Sequence, residues 1–399
     1  MCSALMYYFV SSQNNITYSN RKNKMKRIFS ILTMAMAMMT MACNGQDAKA
    51  NSSGEDSAKA DSATELTILF AGDLMQHEAQ IKAAMQADGT YSYEGVFDYV
   101  KPKIEQADLA IANFEVTLGG KPYKGYPQFC APDEYLDAAV KAGFDVLVTA
   151  NNHSVDTYGR GINRTITLMD SIGIPHLGTY RNAKEREQLY PFLIERNGIT
   201  IALLNFTYGT NGLKVPAPYI VNLENREEIL RDIKKAKAMH PDVIIAIPHW
   251  GIEYVQQPNK QQRELAQWML DNGVDHVIGG HPHVIQPFEV VDNKGKKSLV
   301  VYSLGNYISN MTRPNTDGGA MVTMKLRKEN GKTSLVDTGY SLVWTSRPAL
   351  SGKKQFRLYP ADYPADSLNA TERVKRQKFL DDNRRLLQQF NKEVGEIEN

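Results

Sequence analysis

The sequence predicts an α/β fold on a largely parallel or mixed sheet, and three observations predict it. Short apolar runs rich in Val, Ile and Leu alternate with helix-like stretches along the chain. Several of these runs are almost continuously apolar, as strands buried on both faces should be. Residues able to do chemistry follow the runs directly, as they do where ligands bind beyond the carboxyl ends of strands.

The strand-like runs are Leu66–Ala71, Leu109–Ala112, Val146–Thr149, Ile199–Asn205, Val243–Pro248, His276–Ile278 and Leu299–Ser303. Between them Pro132–Ala142, Gly161–Ser171, Arg226–Met239 and Lys260–Asn272 read as helices. Near the end, Leu386, Leu387, Phe390 and Val394 fall at helical spacing in a charged segment, which predicts an amphipathic helix packed on the domain.

Composition narrows the class. The 399 residues allow one large domain or two ordinary ones. With 46 Lys+Arg against 44 Asp+Glu the net charge is +2, so no nucleic-acid partner is expected. Three cysteines, Cys2, Cys43 and Cys130, without a CxxC pair, exclude a disulfide framework and a thiolate metal site. Cys130 reads as a small buried apolar residue. No glycine-rich nucleotide loop is present, which argues against an ATP-driven ligase.

The N-terminal segment reads as a targeting signal. Arg21, Lys22, Lys24, Lys26 and Arg27 precede an apolar run from Ile28 to Ala42, short for a bilayer span but suited to a signal-peptide core. It ends in Thr40-Met41-Ala42-Cys43, which resembles a lipobox. Residues 1–43 are therefore expected to be a signal peptide with Cys43 lipidated, anchoring the protein to a membrane of the cell envelope outside the cytoplasm. Met25 opens a standard signal, so residues 1–24 read as an upstream misassigned start. Residues 44–63, poor in apolar side chains, are expected to be a solvated tether. The folded domain is expected over 64–346, and 347–399 as a C-terminal extension carrying the amphipathic helix.

The chemistry follows the strands. Leu66–Ala71 runs into Gly72-Asp73, and Leu109–Ala112 into Asn113-Phe114-Glu115. Val146–Thr149 runs into Asn151-Asn152-His153 and Asp156. Val243–Pro248 ends in His249-Trp250-Gly251, with Glu253 and Tyr254 beyond, and His276–Ile278 in Gly279-Gly280-His281-Pro282-His283. Leu299–Ser303 runs into Gly305-Asn306-Tyr307. Five of the eight histidines, His77, His153, His249, His281 and His283, lie in these segments, whereas His176, His240 and His276 read as structural. Imidazole nitrogen with carboxylate and amide oxygen suits Mn, Fe or Zn rather than calcium. Two carboxylates, one Asn and three or more His can complete two adjacent shells, the arrangement a two-metal hydrolase uses.

In this order the segments closely resemble the CapA family of poly-gamma-glutamate capsule synthesis proteins, relatives of calcineurin-like metallophosphoesterases, over roughly Glu65 to Leu326. The resemblance implies a four-layer α/β/β/α sandwich with the site at its rim. It implies Asp73 as the first-strand carboxylate ligand, Glu115 as the bridging carboxylate and Asn152 as the amide ligand. His249 and His281 would serve one divalent metal and His283 the other, with His153 as the acid beside the leaving group. Asp156 is read as orienting His153 or capping the helix that begins near Gly161. Trp250, Glu253, Tyr254, Asn306 and Tyr307 would shape the substrate wall. Two departures stand out. Met75 occupies the position where metallophosphoesterases carry a first-strand His, and Glu replaces Asp at 115. His77, two residues past Met75, is the candidate substitute and is placed with the substrate-facing residues. The expected function is a metal-dependent phosphoesterase-type hydrolase in capsule synthesis, acting on a phosphoester or an anionic polymer alongside other capsule-synthesis proteins. The alternative is a non-catalytic binding, assembly or export factor for an anionic envelope polymer.

Overall fold

The computed structural model describes residues 63–397, so the expected leader with its start at 1–24, Cys43, and the tether up to residue 62 lie outside the described residues. β1 (Thr64–Leu74), β2 (Leu109–Phe114), β3 (Val146–Val148) and β4 (His176–Leu177) are parallel neighbours in that order. β5 (Thr179–Tyr180) follows and pairs outside this sheet. A second sheet begins with the hairpin β6 (Phe192–Arg196) and β7 (Ile199–Thr207). After β8 (Ile220–Val221), the partner of β5, come β9 (Val243–His249) and β10 (His276–Ile278). The hairpin β11 (Phe288–Asn293) and β12 (Lys296–Val301) completes the order β11-β12-β10-β9-β7-β6, parallel from β12 to β7. The chain then returns to the first sheet. β13 (Asn306–Ile308) lies parallel to the end of β1, and β14 (Gly318–Glu329), β15 (Lys332–Ser346) and β16 (Arg357–Pro360) extend the sheet antiparallel, with β17 (Gly395–Glu396) beside β15.

The strand alternation of the sequence explains the layering. In β1, Leu66, Ile68 and Phe70 face the second sheet, while Leu69 and Ala71 pack with the opposite layer. β2 repeats this with Leu109 and Ile111 against Ala110 and Ala112, and β3 with Val146 and Val148 against Leu147. The outer face of the first sheet is covered by Leu136 and Ala139 of the helix Asp133–Ala142 and by Ile104 of the helix Lys101–Gln106. On the far side of the second sheet, Ile229 and Ile233 of the helix Arg226–Ala238 and Leu265 and Met269 of the helix Lys260–Asn272 bury their apolar stripes. The result is helices, sheet, sheet, helices. Each fully buried Leu, Ile or Phe in these layers contributes about 1.5–3 kcal/mol.

All seven expected strand runs overlap observed strands, but the β14–β15 hairpin goes beyond them. Its two-residue turn, Asn330-Gly331, has positive φ at both positions, the twist a tight hairpin needs. The C-terminal stripe also differs from expectation. The helix Ala370–Phe390 buries Arg376, Phe379, Leu380, Asn383 and Leu387, whereas Phe390 is exposed and Val394 lies beyond the helix. At Asn391 the backbone turns extended, and Lys392 exchanges backbone hydrogen bonds with Phe288 and Val290 of β11. Sheet-edge pairing therefore ends the helix before Val394, which is buried separately. Among the described residues no helix is long and apolar enough to cross a membrane.

One amide joins the two sheets beneath the strand ends. Asn205 of β7 accepts from the Ala150 amide just past β3 (2.8 Å) and donates to the Ile247 carbonyl of β9 (2.8 Å). Asn205→Leu should leave both backbone groups buried without partners. We expect a loss of about 2–4 kcal/mol in urea unfolding at unchanged m value.

Candidate metal centre

The parallel strands of both sheets deliver their ends to one place. Asp73 closes β1, Glu115 follows β2, and Asn152 and His153 follow β3 in the first sheet. From the second sheet come His249 at the end of β9 and His281 and His283 after β10. All seven side chains are buried. The local backbone is built for this convergence. β1 changes register around Gly72, where any Cβ would collide with the Gly305 carbonyl oxygen. His281 and His283 both adopt positive φ, at 102° and 59°, a conformation non-glycine residues rarely take and one that concentrates at functional sites.

Ligand-type atoms group into overlapping clusters whose members all lie within 4.8 Å: Glu115 with His249 and His281, Asp73 with Glu115 and His283, and Glu253 with His281 and His283. Glu115 is common to the first two. Asn152 Oδ1 lies 2.7 Å from His249 Nε2, joining the first cluster. The donor set fits a divalent metal such as Mn, Fe or Zn on two counts. Its mixture of imidazole and carboxylate is right for borderline ions. Three of its buried atoms, Asp73 Oδ2, Glu115 Oε1 and His281 Nδ1, have no hydrogen-bond partner, which an isolated protein avoids.

The charge states agree with that fit. Burial and then the neighbouring Asp73 push the Glu115 carboxyl well above the usual glutamate range. Burial, reinforced by the adjacent imidazoles, holds His249 and His281 well below the usual histidine value. Both rings are therefore neutral near pH 7, the form that ligates metals. His283 is set by Asn306. The Asn306 Nδ2 donates to the Thr316 carbonyl (2.9 Å), which turns its Oδ1 to His283 Nδ1 (3.0 Å). The proton then sits on Nδ1 and Nε2 is free, 3.9 Å from both Glu115 Oε1 and Glu253 Oε1.

His153 stands beside the clusters. Its Nδ1 lies 2.7 Å from Asp156 Oδ2, which also accepts from the Phe129 amide (2.6 Å). Asp156 thus orients His153. His77 caps the helix Glu78–Ala84 and accepts the Asn310 amide at Nδ1 (3.2 Å), and burial brings its pKa down to about 4. It falls in none of the metal clusters found among the described residues. Glu253 and Tyr254 are half-buried at the rim. Trp250 and Tyr307 correct the expected wall. Trp250 is buried beneath the site, donating to the Tyr302 carbonyl (2.9 Å), and Tyr307 packs inward against Phe144 and Phe97. Asn306 likewise supports His283 from behind instead of facing a substrate. Met75 is fully buried in the helix-side core, so the first strand brings no imidazole from that position.

The structure adds residues that sequence reasoning passed over. Asn113 Nδ2 reaches Asp73 Oδ1 (2.8 Å), Glu115 Oε2 (3.1 Å) and His249 Nδ1 (3.3 Å). Asn151 in turn donates to Asn113 Oδ1 (3.1 Å). Both stood inside the motifs, at strand ends, which was the available signal. Tyr208, whose ring lies 4.5 Å from that of His281, and Asn211, which accepts from Asn152 (3.2 Å), follow β7. The polar run Thr207 to Asn211 after that strand was their signal.

Relatives of the chain are known from sequence and from solved structures. The model of the family described as bacterial capsule synthesis protein PGA_cap matches residues 67–311, more than half of the chain. The capsule biosynthesis protein CapA of Bacillus anthracis is 31% identical over 285 residues, 68% of this chain and 66% of that protein. The PGA biosynthesis protein CapA of Bacillus subtilis (strain 168) is 29% identical over 272 residues, 66% of this chain and 68% of that one. The matched part thus spans about two thirds of these relatives. Among solved structures, the calcineurin-like phosphoesterase YfkN from Bacillus subtilis is similar at 15% identity and a TM-score of 0.43, covering 81% of this chain and 100% of that one.

Glu115 yields a sign test. Its folded pKa is raised, so in chelator-treated protein its contribution to stability is complete below the unfolded value of about 4.3 and is lost as pH rises toward the raised value. Glu115→Gln removes that loss. Without metal, the variant should melt above the wild type, by a margin that widens from pH 5 to pH 8. Saturating Mn²⁺ should reverse the order, raising the wild-type midpoint more than that of the variant. Thermal melts with and without chelator check both.

Proposed function

The chain belongs to the bacterial capsule synthesis protein family PGA_cap, and from that premise we propose a lipid-anchored envelope protein whose buried centre hydrolyses phosphoester bonds during synthesis of an anionic polymer. The observation that carries this reading is the meeting of the Glu115–His249–His281 and Asp73–Glu115–His283 clusters beside the His153–Asp156 pair. The five ligand-type residues of these clusters, with Asn152, would hold one or two divalent ions, of the Mn, Fe or Zn type. A bound ion would supply Lewis acidity, drawing charge from a phosphoryl oxygen and acidifying water at the site.

The chain's own groups do the rest. Asp156 holds His153 by its Nδ1, which leaves Nε2 to deliver a proton to the leaving oxygen. The Phe129 ring, edge-on to His153 at 4.5 Å, keeps the imidazole in place and shields it from water on that side. Asn113 fixes the spacing of Asp73 and Glu115, and Asn306 fixes the tautomer of His283. Tyr208, Glu253 and Tyr254 stand at the opening, where substrate would enter.

Met75 favours a second reading. With an apolar side chain where a first-strand imidazole would stand, the Asp73 cluster has fewer nitrogen donors, as suits a centre that binds an anionic polymer for assembly or export without cleaving it. Metal analysis by mass spectrometry together with a phosphoester screen separates the two. We expect bound Mn, Fe or Zn, sharply reduced in His281→Ala, and turnover of an aryl phosphate or phosphodiester that falls about 10²–10⁴-fold in His153→Gln at unchanged metal content. Metal without turnover on any phosphoester would leave the binding reading.

The anchor is tested separately. Replacing Cys43 by Ser should move the protein from the membrane fraction to the soluble fraction; retention at the membrane would end the lipidation proposal.

A further inference from the structure

An exposed guanidinium stands at the rim of the centre without a carboxylate partner among the described residues. The Cζ of Arg313 lies 4.2 Å from the centroid of the Tyr254 ring. The nearest acid in sequence to that ring, Glu253, has its carboxylate 3.9 Å from His283 Nε2 and makes no ion pair with Arg313.

Both halves of this stack are fastened to the metal centre. Tyr254 has a positive φ of 67° and donates its amide to the Pro282 carbonyl (2.8 Å), between His281 and His283. Its ring centroid is 6.1 Å from that of His283. The loop carrying Arg313 is held at several points. The Asn310 amide donates to His77 Nδ1 (3.2 Å), and Asn315 Nδ2 donates to Gln256 Oε1 (3.3 Å). The Thr316 carbonyl accepts from Asn306 (2.9 Å), the same side chain that orients His283. A long cationic side chain on a surface loop would ordinarily sample many rotamers. Here an aromatic platform and a loop tied to ligand-holding residues restrict it.

Asp73 and Glu115 place two buried carboxylates in the centre, and Glu253 adds a half-buried one at its rim. A polyanion that places one group at the metals therefore needs a cation for the next group along its chain. We propose that Arg313, seated on Tyr254, is a specificity residue that receives a second anionic group, carboxylate or phosphate, of a polymer whose first group lies at the metal centre. This rests on the anionic-polymer context proposed above but not on hydrolysis. A planar guanidinium already stacked can meet either oxyanion with two parallel hydrogen bonds, which lysine cannot.

The test is equilibrium binding to the Mn²⁺-loaded full-length protein, with hexaglutamate, linear hexaphosphate and neutral hexaglutamine as probes. Arg313→Gln should weaken binding of at least one anionic probe about tenfold and flatten its salt dependence, while hexaglutamine is unaffected. Loss confined to hexaglutamate assigns the group as carboxylate, and loss confined to hexaphosphate assigns it as phosphate. Arg313→Lys should recover the salt dependence but not the full affinity. Unchanged metal content and melting temperature confirm that both variants are folded. The proposal is overturned if the wild type does not prefer an anionic probe over hexaglutamine, or if Arg313→Gln binds all three as the wild type does. It is equally overturned if hexaglutamine loses as much affinity as the anions. Turnover of p-nitrophenyl phosphate by the wild type, measured alongside, keeps the two proposals apart. Charge selection through Arg313 without turnover sinks the hydrolase reading alone, and turnover with no Arg313 effect sinks this one alone.

Discussion

Two carboxylates, Asp73 and Glu115, are fully buried at the ends of adjacent parallel strands, and the amide of Asn113 stands between them. Burying one carboxylate without a cation is costly, and burying two together is more so. Among the described residues neither is paired with a lysine or arginine; their ionic neighbours are His249 and His283. Much of the surrounding architecture can be understood as a response to that concentration of charge. Asn113 spends its donor group on the carboxylates, Asn151 holds Asn113, and Asn306 holds the imidazole nearest Asp73. An arrangement with so many polar groups dedicated to two acids is one that a cation would complete.

The sandwich makes such a meeting possible because each sheet brings a different chemistry. The first delivers the oxygen donors Asp73, Glu115 and Asn152, and the second delivers the imidazoles His249, His281 and His283. The centre therefore exists only while the two sheets keep their relative position. Asn205 enforces this below the site by linking β7 and β9 to the end of β3. Gly178 lies against this seam, where a Cβ would meet both Asn205 Oδ1 and the Ala150 amide. The strained backbone at His281 and His283 is tolerable because the loop is tied down on both sides, by Trp250 to Gly280 and by Tyr254 to Pro282.

The strands and the residues beyond their carboxyl ends were legible in the sequence, because burial on both faces writes continuous apolar runs and the rim is where polar residues interrupt them. Direction was less legible. Trp250 and Tyr307 sit inside the right motifs, yet it is their neighbours His249 and Asn306 that reach the ligand set, one directly and one through His283, while the aromatics are buried. The β14–β15 hairpin escaped because Thr, Lys, Arg and Asp break most of its length into short apolar runs, although Asn330-Gly331 marks its turn. Asn113 and Asn306 could be found as motif members but not as supports, since nothing in a sequence says which groups two carboxylates will need. Val394 was misplaced for a similar reason: the helix stops where β11 offers backbone partners, and that edge is remote in sequence.

The two clusters that share Glu115 are unequal in donor type, and Met75 bears on the inequality. Glu115, His249 and His281 offer two imidazoles and one carboxylate, with Asn152 adjacent, a nitrogen-rich set. Asp73, Glu115 and His283 offer two carboxylates and one imidazole, a harder, oxygen-rich set. An imidazole on the first strand would even out the pair, but that position is Met75, turned into the core beneath the helix Asp133–Ala142. His77 does not repair the difference, since its Nδ1 is engaged by Asn310 and its ring leans on Phe129. The Asp73 cluster is therefore the poorer of the two in nitrogen donors. Both clusters share an imidazole with the Glu253 group, His281 from one and His283 from the other, on the side where Tyr254 carries Arg313. The charge selection proposed for Arg313 would thus act beside the more oxygen-rich of the two clusters.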